Sequence, residues 1–235
     1  MHGRADNLAA LAICCSLVLA SGCAQTAESV TGFVTKPFKP KSAEELLHVK
    51  TPEIRRKELR ALAKTAGRKT AAEQEQLARE LAVEIRSESD PLMRRQILRA
   101  AAACQTPLAF AVVVGGTNDG DLEVRRVACQ CLGQRGGAEA VQELTRVANS
   151  DTDPDVRIAA IRAFGQTRDS KAMPVLAEAL VDINPAVQHR ARESLRSVSG
   201  RDYGDNVEAW REYAQTGKTT AAEVGLAERF RQMFY

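Results

Sequence analysis

The feature that most constrains this chain is a motif that returns in one frame. Five segments align on an apolar residue followed by a polar one: Ile54-Arg55, Met93-Arg94, Val124-Arg125, Val156-Arg157 and Val187-Gln188. Their offsets are 39, 31, 32 and 31 residues. Three residues before each apolar anchor stands a residue suited to a helix N-cap: Thr51, Asp90, Asp121, Asp153 and Asn184. Proline follows the cap in four of the five, at Pro52, Pro91, Pro154 and Pro185. A cap side chain accepts from an orphan N–H, and proline loses nothing at the first helical position. Self-similarity at this period predicts stacked helical units, each too small to bury its apolar face alone.

The frame continues beyond the anchors. Ala128, Ala160 and Ala191 follow four residues on, then Leu132, Phe164 and Leu195 eight residues on. Positions 0, 4 and 8 make one apolar stripe, whose small middle residue lets a neighbouring helix approach. Gly133 and Gly165 come next, where each helix is expected to stop. A second helix follows in each unit. Ala138, Val141, Leu144 and Val147 give one stripe, and Ala172, Val175, Leu176, Ala179 and Leu180 the next. Thr70 and Glu73 form a capping box that opens a helix through Leu77, Leu81 and Ile85. Thr106-Pro107 opens another through Val114. The run Leu108 to Val114 is rich in β-branched residues, but a lone strand among helical hairpins would have no partner.

The unit Asp153 to Gly165 resembles the HEAT repeat in its phycobilisome-lyase-like variant, and Asp121 to Gly133 resembles it nearly as well. The likeness is good over residues 90–198 and looser over 51–89. It implies an all-α fold, an α/α solenoid or superhelix of HEAT-like helical hairpins over 51–198. Residues 199–235 are then a C-terminal capping segment, with Trp210 in it, ending in an amphipathic helix. That helix is capped by Thr220 and Glu223 and striped by Val224, Ala227, Phe230 and Met233 or Phe234. The closing segment resembles that of bacterial HEAT-repeat proteins, some of them lipoproteins.

The N-terminus reads as an address. Met1 to Asn7 is short and polar, and Leu8 to Ala20 is apolar or small except for Ser16. The stretch is shorter than the ~20 residues of a membrane span and fits the apolar core of a secretory signal. It ends Leu19-Ala20-Ser21-Gly22-Cys23, which resembles the lipobox of bacterial lipoproteins, although Ala20 stands where leucine is favoured. The resemblance implies a signal peptide over 1–22, cleavage before Cys23 and a lipid anchor on Cys23. Several acyl chains together hold a protein to a membrane where one does not. In proteobacterial lipoproteins a residue other than Asp at the next position, here Ala24, implies sorting to the outer membrane. Residues 23–50 are then a flexible tether, with the basic proline run Lys36 to Lys41 favouring extended chain.

The remaining candidates have structural explanations. Arg55, Arg94, Arg125 and Arg157 share one register; they could face an anionic partner, but in HEAT-type repeats such arginines link successive units with Asp. Of the six Cys, Cys104, Cys129 and Cys131 follow Cys23. They suit small apolar packing as free thiols, with a bridge from Cys104 to Cys129 or Cys131 as the alternative. His2, His48 and His189 stand in no ligand spacing, so no metal is expected. No His-Glu dipeptide occurs, unlike in the HEAT-fold iron hydroxylases. Gly217-Lys218-Thr219 ends like a phosphate loop, but Glu212 replaces the required glycine. Arg55, Arg56, Lys57, Arg60, Lys64, Arg68 and Lys69 crowd the first hairpin, and Glu73, Glu75, Glu80, Glu84 and Glu88 on the following helix are expected to answer them.

These features predict no enzyme, no cofactor, no small-molecule substrate and no nucleic-acid partner; 33 basic against 30 acidic residues leave a net charge of only +3. They point to a lipoprotein held to a membrane through Cys23, facing the periplasm. There it would scaffold an envelope protein whose identity the sequence does not give. The alternatives are a lyase- or chaperone-like enzyme accessory, which the family resemblance brings and the export signal opposes, and a structural lipoprotein binding wall polymer.

Overall fold

A computed structural model describes residues 51–223 and 225. The signal, Cys23, the tether and the stripe residues Val224, Ala227, Phe230, Met233 and Phe234 lie outside them; Thr220 and Glu223 lie within them and, contrary to expectation, open no helix over 220–223.

Ten α-helices occur among the described residues: α1 Pro52–Thr65, α2 Ala71–Ser87, α3 Pro91–Ala102, α4 Pro107–Gly116, α5 Leu122–Arg135, α6 Ala138–Ser150, α7 Pro154–Thr167, α8 Met173–Glu178, α9 Pro185–Ser199 and α10 Val207–Thr216. Short 3-10 turns flank α8 at Ser170–Ala172 and Ala179–Val181. All five aligned caps work as the register requires. Thr51, Asp90, Asp121, Asp153 and Asn184 each accept a backbone N–H of the first turn. Each such cap stabilises its helix by about 1 kcal/mol. The Thr70–Glu73 capping box is complete. Thr106 caps α4, so the β-branched run is a helix.

The odd-numbered helices stack in chain order, α1 on α3, α3 on α5, α5 on α7 and α7 on α9. The even-numbered helices form the second layer, with α2 on α4 and α8 on α10. This is an all-helical α solenoid. The anchors Met93, Val124, Val156 and Val187 are buried, with Ala128, Ala160, Ala191, Leu132, Phe164 and Leu195 beneath them. Ile54 departs from the frame and is 48% exposed. Among the described helices α1 has a stacking neighbour on one side only, so its anchor meets no second wall.

Three expectations are corrected. Gly133 and Gly165 do not stop their helices; α5 runs on to Arg135 and α7 to Thr167. The stops are Gly136, at φ 66°, and Arg168, at φ 52°. Gly133 and Gly165 are instead close-contact positions: a Cβ on Gly133 would lie 2.9 Å from the Ala163 carbonyl oxygen, and one on Gly165 3.2 Å from Ser194 Oγ. In α6 the inward alanine is Ala140, while Ala138 is exposed in the first turn. Finally, α10 occupies part of the segment expected only to close the chain. Asn206 caps it, and Trp210 is fully buried and donates from Nε1 to the Gly204 carbonyl at 3.0 Å. Tyr203 meets Trp210 edge-on at 4.9 Å. α10 is the second helix of a fifth hairpin, paired in sequence with α9.

Candidate functional site

The arginine following each anchor belongs to a ladder between repeats. Arg94 on α3 donates through Nε and Nη2 to the two Asp119 carboxylate oxygens, both at 2.8 Å. Its Nη1 donates to the Glu88 and Ser89 carbonyls at 3.2 and 2.9 Å. Arg125 on α5 repeats the pattern, with Asp151 at 2.9 and 3.2 Å and the Asp119 carbonyl at 3.0 Å. Arg157 on α7 reaches the Asp151 carbonyl at 3.3 Å and stands 3.9 Å from Asp182. Gln188 takes the last place and donates to the Asp182 carbonyl at 2.7 Å. The first rung is irregular, with Arg55 reaching Glu84 through Nε at 2.8 Å.

The acids of this ladder are not the capping residues. They stand two positions earlier, in the pairs Glu88/Asp90, Asp119/Asp121, Asp151/Asp153 and Asp182/Asn184. Each accepts the backbone N–H of its cap at 2.7–2.9 Å, a bond that holds the carboxylate in place. Asp119, Asp151 and Asp182 also face the arginine of the preceding unit. Burial alone would raise the Asp119 pKa, but hydrogen bonds from Arg94 and the Asp121 N–H outweigh it and hold it below the usual carboxylate value. Hydrogen bonding to Asp119 and Asp151 raises Arg94 and Arg125. These planar guanidinia are committed to structure on every side, so the register does not offer an open cationic stripe.

One residue further on, the arginines are placed differently. A helix turns about 100° per residue, so Arg95 and Arg126 face away from the ladder. Arg99 and Arg162 share that outward face. These four line a groove of about 290 Å³ across α3, α5 and α7, with Ile158, Ala159 and Ala163 among its apolar lining and Glu123 and Asp155 as its acids. Glu123 accepts from Arg126 Nη1 at 2.5 Å and stands 3.6 Å from Arg95 Nη1. Arg99 and Arg162 have no ion pair among the described residues. The Nε atoms of Arg95 and Arg126 are buried without a hydrogen-bond partner among the described residues. The sequence reading missed this groove. Its signal was a basic residue two or six positions after the anchor, both in α3 but only one in α5 and in α7, which in one helix looks like an ordinary solvated face.

The other candidates fall where packing explains them. Cys104, Cys129 and Cys131 are buried free thiols, not bridged. Cys131 faces the Leu98 carbonyl of α3 at 3.9 Å, and desolvation pushes both Cys129 and Cys131 up to about 12. Gly217, at φ 70°, ends α10, and the following Lys218 is exposed, whereas a phosphate loop opens a helix. His189 is exposed, and no cluster of metal-ligating side chains occurs among the described residues. No helix among the described residues is long and apolar enough to cross a membrane. On the first hairpin Arg55 is the residue answered by the acidic helix, through Glu84. Arg56, Lys57, Arg60 and Lys64 have no ion pair among the described residues, contrary to the expected neutralisation.

The profile of HEAT repeats matches residues 78–159, 113–196 and 144–216, together more than half of the chain. The chain belongs to the HEAT-repeat family. The third window takes in α10, in keeping with a fifth HEAT hairpin built from α9 and α10. Two crystal structures of engineered proteins resemble it at 20% and 21% identity. The first likeness covers 73% of this chain and 83% of the other, with a TM-score of 0.40; the second covers 73% and 84%, with 0.39. No curated protein matches the chain. HEAT repeats of this kind suggest a protein-interaction scaffold, a solenoid fold that is typically non-catalytic.

Proposed function

We propose that this HEAT solenoid is a lipid-anchored adaptor of the bacterial cell envelope, fixed to the membrane through Cys23 and holding another envelope protein on its helical surface. The observation that carries the scaffold half is the hairpin row itself, locked from unit to unit by Arg94–Asp119 and Arg125–Asp151. A row locked through this ladder leaves outward helix faces on which a partner can sit, which suits binding rather than chemistry. The anchor half rests on Leu19-Ala20-Ser21-Gly22-Cys23 and on the apolar stretch before it. Residues 24–50 would give the solenoid reach from the bilayer. The periplasmic face of the outer membrane is the expected location, from Ala24.

The experiment has two arms. Cys23→Ser abolishes metabolic lipid labelling and leaves a precursor that is uncleaved or mislocalised; membrane-bound, lipid-labelled Cys23→Ser protein refutes the anchor. Cross-linking in intact cells recovers a discrete envelope protein; a clean monomer refutes the adaptor. One observation favours a second reading, attachment to anionic wall polymer, namely the unanswered cations Arg56, Lys57, Arg60 and Lys64 on α1. Under that reading the protein pellets with cell wall in a salt-sensitive way and loses this on Arg56→Glu with Arg60→Glu.

A further inference from the structure

Two arginine columns run side by side along α3, α5 and α7, and they differ in what they hold. Arg94 and Arg125 each meet a carboxylate with two N–H groups and a carbonyl with a third. Arg95 and Arg126 share the single carboxylate of Glu123, and Arg99 and Arg162 pair with none among the described residues. We propose that the groove formed by Arg95, Arg99, Arg126 and Arg162 is where the adaptor holds its partner, and that its occupant is an extended acidic segment of that protein. The inference rests on the adaptor reading and names the chemistry of its partner.

The chemistry of the groove selects a peptide. A guanidinium presents a planar fork that matches a carboxylate, and it is readily desolvated at an interface. The half-buried Ile158 and Ala159 line the same groove, so apolar side chains can rest between the charged ones. Packed helices lie about 8–10 Å apart, so the path from α3 to α7 is about 20 Å, or about six residues of extended chain. A polyphosphate backbone fits less well. Glu123 and Asp155 stand among the four arginines, and a uniform row of phosphates would meet them, whereas a peptide can place an uncharged residue there. No aromatic side chain lines the groove for a base to stack on. A flat bilayer surface would touch its rim and leave the apolar lining uncovered.

The test uses the full lipidated chain in detergent micelles and a short fluorescent peptide of alternating glutamate and leucine. Its glutamine-for-glutamate counterpart, phosphatidylglycerol vesicles and single-stranded DNA serve as competing probes. The acidic peptide binds, the glutamine peptide does not, and binding weakens as salt rises. Arg99→Glu with Arg162→Glu lowers the affinity about tenfold or more. The milder Arg99→Gln with Arg162→Gln, which keeps the melting temperature, lowers it less but measurably. Arg56→Glu with Arg60→Glu on α1 leaves it unchanged. Equal affinity in the Arg99/Arg162 variants overturns the proposal. So does binding of vesicles or DNA that depends on these arginines while the peptide fails to bind. A photo-cross-linker separates this failure from that of the adaptor: a partner captured from Gln142 on α6, but not from Gln130 in the groove, removes the groove and leaves the adaptor standing.

Discussion

Replacing Gly133 by alanine tests the stacking of α5 on α7 more sharply than any truncation. In an isolated helix the change would help, because alanine is favoured over glycine in a helix interior by about 1 kcal/mol. Here the new Cβ would lie 2.8 Å from Ala163 Cβ and 2.9 Å from both the Ala163 Cα and its carbonyl oxygen. Two of these three are backbone atoms, so no rotamer change relieves the contact and the helices must move apart. Overpacking of this kind costs about 1–3 kcal/mol, and separating α5 from α7 also loosens Leu132 and Phe164 across the same seam. The net expectation is a loss of about 1–2 kcal/mol, read as a Tm lower by about 2–8 °C for a chain of this size. Gly115 supplies the control, because a Cβ there meets nothing within 4 Å. Gly115→Ala is expected to stabilise by about 0.5–1 kcal/mol. Gly165→Ala falls between, facing Ser194 Oγ at 3.2 Å, a hydroxyl that is itself held by the Ile161 carbonyl at 2.8 Å. Urea and thermal unfolding of the full chain rank the three. A Gly133→Ala protein as stable as the wild type, with Gly115→Ala no better, would refute the claim that helix contact, not helix termination, explains this glycine.

The other expectations concern the core and its charges. Leu132 is fully buried, so Leu132→Asp places a carboxylate in the seam and costs several kcal/mol; an unchanged melting curve would show the stripe misplaced. The lowered Asp119 pKa means that its contribution to stability is present above the unfolded value near 3.8 and is lost as pH falls through the lower folded value. Asp119→Asn therefore destabilises at neutral pH and flattens the loss of stability below about pH 4, which denaturation midpoints across that range measure. Cys129 and Cys131, pushed up to about 12, stay unlabelled by a maleimide under native conditions and react on unfolding; rapid native labelling of either would contradict their burial.

What the sequence disclosed, and what it hid, divides by the range of the interaction. A cap is local, and five caps in one frame expose the helix starts from Thr51 to Asn184. The apolar stripe is nearly local, and Val124, Ala128 and Leu132 need only the helix period to be placed on one face. Gly133 is ambiguous in sequence because a glycine near a helix end suits a stop as well as a contact, and the difference depends on Ala163 in the next unit. The acids of the ladder carry a local signal, since each stands two residues before a cap, but the aspartates at the caps have the same chemistry and a simpler local role. α10 escaped because Asn206, Ala209 and Trp210 sit outside the shared frame and are recognisable only once Trp210 is seen buried against the closing turn. The groove was the least legible, because it belongs to three helices at once. Arg95, Arg126 and Arg162 are ordinary surface residues until stacking sets them side by side.

The two arginine columns also show how a repeat protein separates folding from recognition. The inward column is constrained twice, by the carbonyls of its own unit and the carboxylate of the next, so removing Arg125 leaves the largely buried Asp151 without its bidentate partner. The outward column, one residue and about 100° away, is held more loosely: Arg95 stands 3.6 Å from Glu123 of the next unit, and Arg99 and Arg162 have no ion pair among the described residues. It can change from Arg126 to Ile158 to His189 down the row without disturbing a single cap or anchor. Where the frame breaks on the outside and holds on the inside, folding does not dictate the residue, and selection for a partner is free to act. In this chain that freedom has left four arginines facing two acids across three stacked helices. Such an imbalance, on a face whose arginines outnumber their carboxylates, is the physical reason to look for the partner there, and not along the ladder.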